Sequence, residues 1–303
     1  MLHGVLIIDK PPHLTSAHVV DLVRRRGGVG KAGHTGTLDP LATGVLPICV
    51  GHATKLAGYL IAEDKTYEAE LELGVDTDTL DRTGKVVAER RELADQVTDD
   101  ALAAALAAMV GPQRQLPPMF SAIKQGGVRL YDRARAGQVV EREPRSIVIH
   151  ALALRWRRGR RVAITAHCSK GTFIRSLVAD LGAALGVGAH LAELRRTQSG
   201  AYTLAQAVAL EGLTGELAAR ALIPMPQMLT VPSFVAPAAR EAELRDGRPG
   251  VLAEVAAGLA GMGQILSERG ELLALVEADG EKIKYLRVFP EFMAPVAVAG
   301  SAG

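Results

Sequence analysis

Gly33-His34-Thr35-Gly36-Thr37-Leu38-Asp39-Pro40-Leu41-Ala42-Thr43-Gly44 gathers three glycines, one carboxylate and one imidazole into a single loop. Its flanks set the fold class. Upstream, Gly4-Val5-Leu6-Ile7-Ile8-Asp9 is a β-branched run ended by Lys10-Pro11-Pro12, which reads as a buried strand entering a rigid loop. Thr15 or Ser16 then caps a helix to about Arg26, with Val19, Val20 and Val23 on its apolar side. Downstream, Val45-Leu46-Pro47-Ile48-Cys49-Val50 reads as a second strand, and Thr54 to Ile61 as a short helix. The loop therefore stands at the rim of a sheet, where a rigid scaffold presents functional groups. Local pattern leaves Asp39 open between two uses. It is either a chemical carboxylate or a helix cap, with Pro40 as the first helical residue and Gly44 as the stop.

Further along, Lys65-Thr66-Tyr67-Glu68-Ala69-Glu70-Leu71-Glu72-Leu73 alternates as a half-buried strand, with Tyr67, Ala69, Leu71 and Leu73 on one face. The acidic loop from Asp76 to Gly84 has the spacing of a calcium loop but not its chemistry: the sixth position is Asp81 rather than glycine and the twelfth is Val87 rather than glutamate. Thr98 caps an alanine-rich helix to about Met109, stopped by Gly111-Pro112. A short helix is expected around Tyr131 to Ala136, then strands at about 145 to 155 and 161 to 168 joined through Gly159. Lys170-Gly171-Thr172-Phe173-Ile174-Arg175 begins a helix to about Leu185, and His190 to Thr197 reads as a core strand. A cation in a helix's first turn opposes the dipole, so Arg175 breaks a local preference where functional sites tend to break them. Strands that pair locally with helices interspersed, and no Gly-x-Gly-x-x-Gly or Walker fingerprint, give an α+β order.

Composition excludes several classes. The 303 residues are 48% hydrophobic, enough for a large core and about two domains. No apolar run reaches the roughly 18 residues of a membrane span, and a cytoplasmic location is expected. Cys49 and Cys168, the two cysteines, read as reduced core residues, and neither spacing nor neighbours suggest a metal. The net charge of +2 is small, but arginines cluster at 24 to 26, at 155 to 161 and at 195 to 196. Such local patches matter more than the total for meeting phosphates, although the 155 to 161 run also reads as a basic hairpin turn. Pro224, Pro226 and Pro232 mark a boundary, beyond which a charged helix at 238 to 245 and short strands at 272 to 277 and 285 to 289 suggest a small β domain.

Taken with Leu6-Ile7-Ile8-Asp9-Lys10-Pro11, Lys65-Thr66-Tyr67, Thr77-Asp78-Thr79, Pro117-Pro118-Met119-Phe120-Ser121-Ala122-Ile123-Lys124, Lys170 to Leu177 and Leu194-Arg195-Arg196, the loop closely resembles the motifs of the bacterial tRNA pseudouridine-55 synthases, the TruB family. The order is the family's, and coverage extends to about residue 230. The resemblance implies a mixed catalytic domain over 1–230 on a central, mainly antiparallel sheet and a PUA-like RNA-binding domain over 231–293, while the small-residue tail over 294–303 reads as disordered from its composition. It implies isomerisation of a uridine at position 55 of the tRNA T loop, without cofactor or metal, by a monomer. Asp39 matches the catalytic carboxylate, Arg175 its partner, and Tyr67 the tyrosine that stacks on the base and is placed to help remove the C5 proton. Leu194 resembles the residue on the base's other face and His34 the histidine that fills the space left by the flipped uridine. Lys10, Lys124, Arg195 and Arg196 are expected as phosphate or active-site-wall contacts. Phe173 departs from the tyrosine often found there.

Two other readings stand beside this one. In a non-catalytic tRNA-binding or tRNA-folding protein Asp39 is only a cap, against which stands the joint presence of Asp39, Tyr67 and Arg175. A retaining glycosidase lacks a second well-placed carboxylate, with Asp81 its nearest candidate.

Overall fold

The computed structural model describes residues 2–121, 123–135, 138, 140–280 and 282–289. The strand before the signature loop is β1 (Gly4–Lys10), and α1 (Ser16–Arg26) follows, with the Thr15 hydroxyl accepting from the His18 N–H at its start. Next come β2 (Thr43–Val50), β3 (Lys65–Leu73), α2 (Asp99–Ala108) and β4 (Gly111–Gln115). The long hairpin β5 (Arg145–Arg158) and β6 (Arg161–Cys168) turns at Gly159, where φ is +59°. Then α3 (Ile174–Ala184) leads into β7 (Ala189–Ser199). The stretch expected as one short helix at 54 to 61 is a 3-10 turn, Gly51–Lys55, followed by the helical turn Ala57–Ile61.

These strands form one mixed sheet in the order β1-β2-β7-β3-β6-β5-β4. Most neighbours are antiparallel, but β7 and β2 run parallel where Arg195 pairs Thr43 and Arg196 pairs Gly44. That contact is why residue 44 is a glycine: at φ +100° a Cβ there would lie 2.1 Å from the Arg196 carbonyl oxygen. Alternation along β3 puts Tyr67, Ala69, Leu71 and Leu73 under α2 and α3, in the main core with Ile174, Leu177, Val178 and Leu181. Burying those four side chains of α3 supplies about 6–12 kcal/mol of gross hydrophobic stabilisation, an upper bound because the unfolded chain is not fully extended.

The reverse face of the sheet is divided. At the β1 and β2 end, Val5, Ile7, Val45 and Cys49 pack against a second sheet made of β8 (Ser233–Val235), β9 (Gly261–Leu266), β10 (Leu272–Asp279) and β11 (Lys282–Val288). Leu272, Leu275 and Phe289 reach into that shared core, while Leu244, Ile265, Leu273 and Val276 form a separate one. At the β3, β6 and β7 end the reverse face carries ion pairs instead. Arg155 meets Glu68, Arg161 meets Glu70 and Arg195 meets Asp9. The basic run at 155 to 161 thus behaves as a solvated hairpin: Arg157 and Arg160 also pair Asp99 and Asp95, and Arg158 lies over the Trp156 ring. Both cysteines are free and buried. Among the described residues, no helix is long and apolar enough to cross a membrane. The tail at 294–303 lies outside the described residues.

Candidate active site

Asp39 does not cap a helix. The Ala42 N–H donates to the Asp39 carbonyl at 3.0 Å and closes a four-residue turn with Pro40 in its second position, after which the chain goes directly into β2. The cap expectation is corrected: strand pairing claims residues 43 to 50, so no helix can start. Three neighbours fix the turn. Lys10 Nζ donates to the carbonyls of Pro11, Pro40 and Ala42 at 2.8, 3.3 and 2.6 Å. The Ser16 hydroxyl accepts from the Leu38 N–H at 2.8 Å and donates back to its carbonyl at 3.0 Å, and the His13 N–H donates to the Pro40 carbonyl at 2.7 Å.

The turn presents the Asp39 carboxylate to Arg175, whose Nε lies 2.8 Å from Oδ2. The expected helix start at Lys170 is corrected as well: α3 begins at Ile174, and Phe173, extended at φ −98°, precedes it. The cause is a side-chain competitor. Gln115 accepts from the Phe173 N–H at 2.8 Å and donates to its carbonyl at 3.1 Å, so residue 173 is held out of the helix. Arg175 sits in the first turn and is 4% exposed. Both Nη groups are engaged as well: Nη1 donates to the Thr79 carbonyl at 2.9 Å and Nη2 to the Phe120 carbonyl at 2.7 Å, while Asp81 Oδ2 is 3.7 Å from Nη1. Asp81 is itself held through Oδ1 by the Thr79 hydroxyl at 2.9 Å and by the Thr83 N–H and hydroxyl at 2.9 and 2.5 Å. Leu80, at φ +61°, takes a left-handed conformation that a leucine rarely adopts, and this turn delivers both the Thr79 carbonyl and Asp81 to the guanidinium. A buried guanidinium between two carboxylates is thereby compensated on every side.

A third of the Asp39 side chain faces a cleft of about 640 Å³. Loss of water pushes its carboxyl above the ordinary carboxylate value, Arg175 opposes that rise, and Asp81 adds to it. Tyr67 and Leu194 line the cleft, with His34, Lys65, Ser121, Phe173 and Arg196. Register explains the grouping: Tyr67 pairs with Arg196, and Leu194 with Ala69, in the β3 and β7 ladder. Burial keeps the Tyr67 phenol protonated beyond its ordinary range. His34 is held below its usual value by burial and by Arg196, and its Nδ1 accepts from the Gly36 N–H at 3.4 Å, so the neutral ring carries its proton on Nε2.

The sequence-derived set divides here. Asp39, Arg175, Tyr67, Leu194, His34 and Arg196 come together around one cleft. Lys10 is fully buried behind the loop with its three donors on carbonyls, so it has no face for a phosphate. Arg196 is 1% exposed, its Nε on the Val45 carbonyl at 2.7 Å and Nη2 on the Gly36 carbonyl at 3.2 Å, and it serves as wall. Arg195 points to the reverse face, where it pairs with Asp9 at 2.7 Å, because neighbours in a strand face opposite sides. The Lys124 side chain lies outside the described residues. Sequence reasoning passed over Lys65, although it shares the parity of Tyr67. It is 7% exposed, donates to the Ile61 and Glu63 carbonyls, and burial lowers its ammonium to about 8. Ser121 was also passed over. Among the described residues no group of three or more His, Cys, Asp or Glu is placed to hold a metal ion.

Residues 24–174 match the model of the TruB family pseudouridylate synthase N-terminal domain, and residues 175–229 match that of the tRNA pseudouridylate synthase B C-terminal domain. The chain belongs to the TruB family. A tRNA pseudouridine synthase B of Aromatoleum aromaticum is 44% identical over 284 residues, covering 92% of this chain and 90% of that one. The protein of the same name from Symbiobacterium thermophilum is 55% identical over 213 residues, 69% of this chain and 71% of that one. A chain of the crystal structure of a Cbf5-Nop10-Gar1 complex superposes with a TM-score of 0.71 at 28% identity, covering 95% of this chain and 85% of its own. The TruB cleft is shared between the two matched regions: Asp39 and Tyr67 come from the first, and Arg175, Leu194 and Arg196 from the second. The chain is a pseudouridylate synthase by family.

Proposed function

We propose that this TruB-family chain isomerises a uridine of tRNA to pseudouridine, at position 55 in the T loop, with Asp39 as the catalytic carboxylate. The observation that carries this reading is the 2.8 Å pair of Asp39 with the buried Arg175 at the edge of a cleft walled by Tyr67 and Leu194. A uridine must leave its stack to reach a carboxylate so placed, at a cost of a few kcal/mol in lost stacking. The Tyr67 ring and the Leu194 side chain offer the uracil two apolar faces, and the neutral His34 at the cleft wall fills the space it leaves. The C1′–N1 bond then breaks, the uracil rotates, C5 bonds to C1′, and N1 takes up the proton equivalent that C5 loses, so no atom is gained or lost. A carboxylate assists this at C1′, at C6 or by promoting a glycal, and each route needs Asp39 ionised. Arg175 is what favours that form against burial. Burial keeps Tyr67 a phenol, so it takes the C5 proton only by passing its own proton onward.

The domain division belongs to the same proposal: residues 1–230 as the catalytic domain and 231–293 as a PUA-like RNA-binding domain, with a monomer acting in the cytoplasm. The test is to incubate unmodified tRNA with the protein and map pseudouridine by carbodiimide labelling and primer extension. Modification in the T loop by wild type and none by Asp39→Asn is the expected result. No T-loop modification by wild type refutes it and favours a tRNA-binding protein without catalysis, whereas undiminished modification by Asp39→Asn refutes Asp39 as the catalytic carboxylate.

A further inference from the structure

Ser121 has the one buried side-chain polar atom among the described residues without a hydrogen-bond partner. It is 4% exposed and lines the same cleft as Asp39 and Tyr67. Its backbone is pinned on three sides. The Ser121 N–H donates to the Met119 carbonyl at 3.0 Å, its carbonyl accepts from the Tyr131 N–H at 3.0 Å, and the preceding Phe120 carbonyl accepts from Arg175 Nη2 at 2.7 Å. A segment so firmly held nonetheless leaves one hydroxyl unsatisfied, and buried polar groups are almost always satisfied. An unpaired hydroxyl in a cleft is a donor and acceptor that a group entering the cleft can satisfy, recovering the cost of its burial.

We propose that Ser121 is a substrate-binding residue whose hydroxyl hydrogen-bonds the extruded nucleotide, an inference that rests on the pseudouridine-synthase reading of the cleft. Arg175 fixes where that bond falls. Its Nε holds Asp39 and its Nη2 holds the Phe120 carbonyl, so Ser121 directly follows the residue this guanidinium anchors and lines the cleft that Asp39 lines. The part of a nucleotide bound against Asp39 is the sugar at C1′ with the adjoining edge of the base. Both offer the chemistry a hydroxyl recognises: the ribose 2′-OH donates and accepts, and the uracil edge carries carbonyl acceptors and an imide donor. A hydroxyl also both donates and accepts and turns about one bond. It can therefore keep a partner when the uracil rotates, which a fixed donor or acceptor cannot.

The test compares wild type and Ser121→Ala as full-length proteins on a tRNA transcript in single-turnover and steady-state pseudouridine formation, with thermal midpoints in parallel. Expected is at least a tenfold fall in kcat/KM with a thermal midpoint equal to or above wild type, because the free protein loses an unsatisfied group and no bond. Binding to a transcript carrying 2′-deoxyuridine at the target position then separates the two sources. A Ser121→Ala binding deficit that vanishes on that RNA assigns the contact to the ribose hydroxyl; one that persists assigns it to the uracil edge. Kinetics within twofold of wild type overturn the proposal. So does a lowered midpoint that accompanies the loss of activity, since that marks a structural hydroxyl. A wild type that modifies no uridine overturns the reading of the cleft and this inference with it.

Discussion

Replacing Arg175 by glutamine tests whether the guanidinium acts by charge. At 2.8 Å and an effective dielectric constant near 20, its gross attraction to the Asp39 carboxylate is about 6 kcal/mol. Desolvation and hydrogen bonding absorb much of that, and an opposite charge at such range typically lowers a carboxyl pKa by about 1–3 units. The sign follows directly. Protonated Asp39 is neutral and gains nothing from Arg175, so removing the cation favours the acid form and raises a pKa that burial has already raised. The acid limb of kcat/KM against pH should therefore move upward by about 1–3 units in Arg175→Gln, with activity partly recovered on the alkaline side. Arg175→Lys keeps the charge while losing the fork onto Thr79 and Phe120, so its limb should move by less than about one unit. The assay is release of tritium from C5-labelled uridine in a tRNA transcript under single-turnover conditions across pH. Because Arg175→Gln also leaves buried Asp81 uncompensated, at a cost of about 3–5 kcal/mol, measurements belong well below its thermal midpoint with the fold checked by circular dichroism. A uniform loss at every pH with the limb unmoved would refute the electrostatic role and leave Arg175 as a purely steric strut.

The two adjacent arginines of β7 should separate cleanly. Arg195→Ala removes a half-exposed pair with Asp9 on the reverse face and should change stability by no more than about 1 kcal/mol with activity near wild type, whereas Arg196→Ala, which strands the Val45 and Gly36 carbonyls, should impair both in the same melting and activity assays. Gly44→Ala meets a backbone oxygen and an unfavourable φ together, so urea unfolding should show a loss of more than about 2 kcal/mol; an unchanged midpoint would contradict the β2 and β7 contact. Tyr67→Phe keeps the stacking face and loses the hydroxyl, so RNA affinity should hold while the single-turnover rate falls; equal rates would remove Tyr67 from proton transfer. Lys10 and Lys65, both lowered to about 8 by burial, bind fewer protons folded than unfolded between about 8 and 10.4, and stability should rise with pH across that window in denaturant titrations.

Local chemistry made most of the elements legible. Thr15 and Thr98 cap the helices the sequence assigns them, the alternation from Lys65 to Leu73 is the observed strand, and Gly159 turns the hairpin. Each of these is a decision made within a few residues, by a side chain that satisfies its own backbone or by the pleat of a strand. Where a distant partner intervened, local reading failed. Gln115 reaches across 58 positions to hold Phe173 out of α3, and the pairing of β2 takes the residues that a helix after Asp39 would need. The same limit applies at the cleft. Sequence motifs named Asp39, Arg175, Tyr67, Leu194, His34 and Arg196, and strand parity separates Arg195 from Arg196. Only the tertiary structure buries Lys10 behind the loop, brings Asp81 to Arg175 and leaves the Ser121 hydroxyl alone among satisfied neighbours. Burial and hydrogen-bond satisfaction are properties of the whole packed assembly, so no window of sequence contains them.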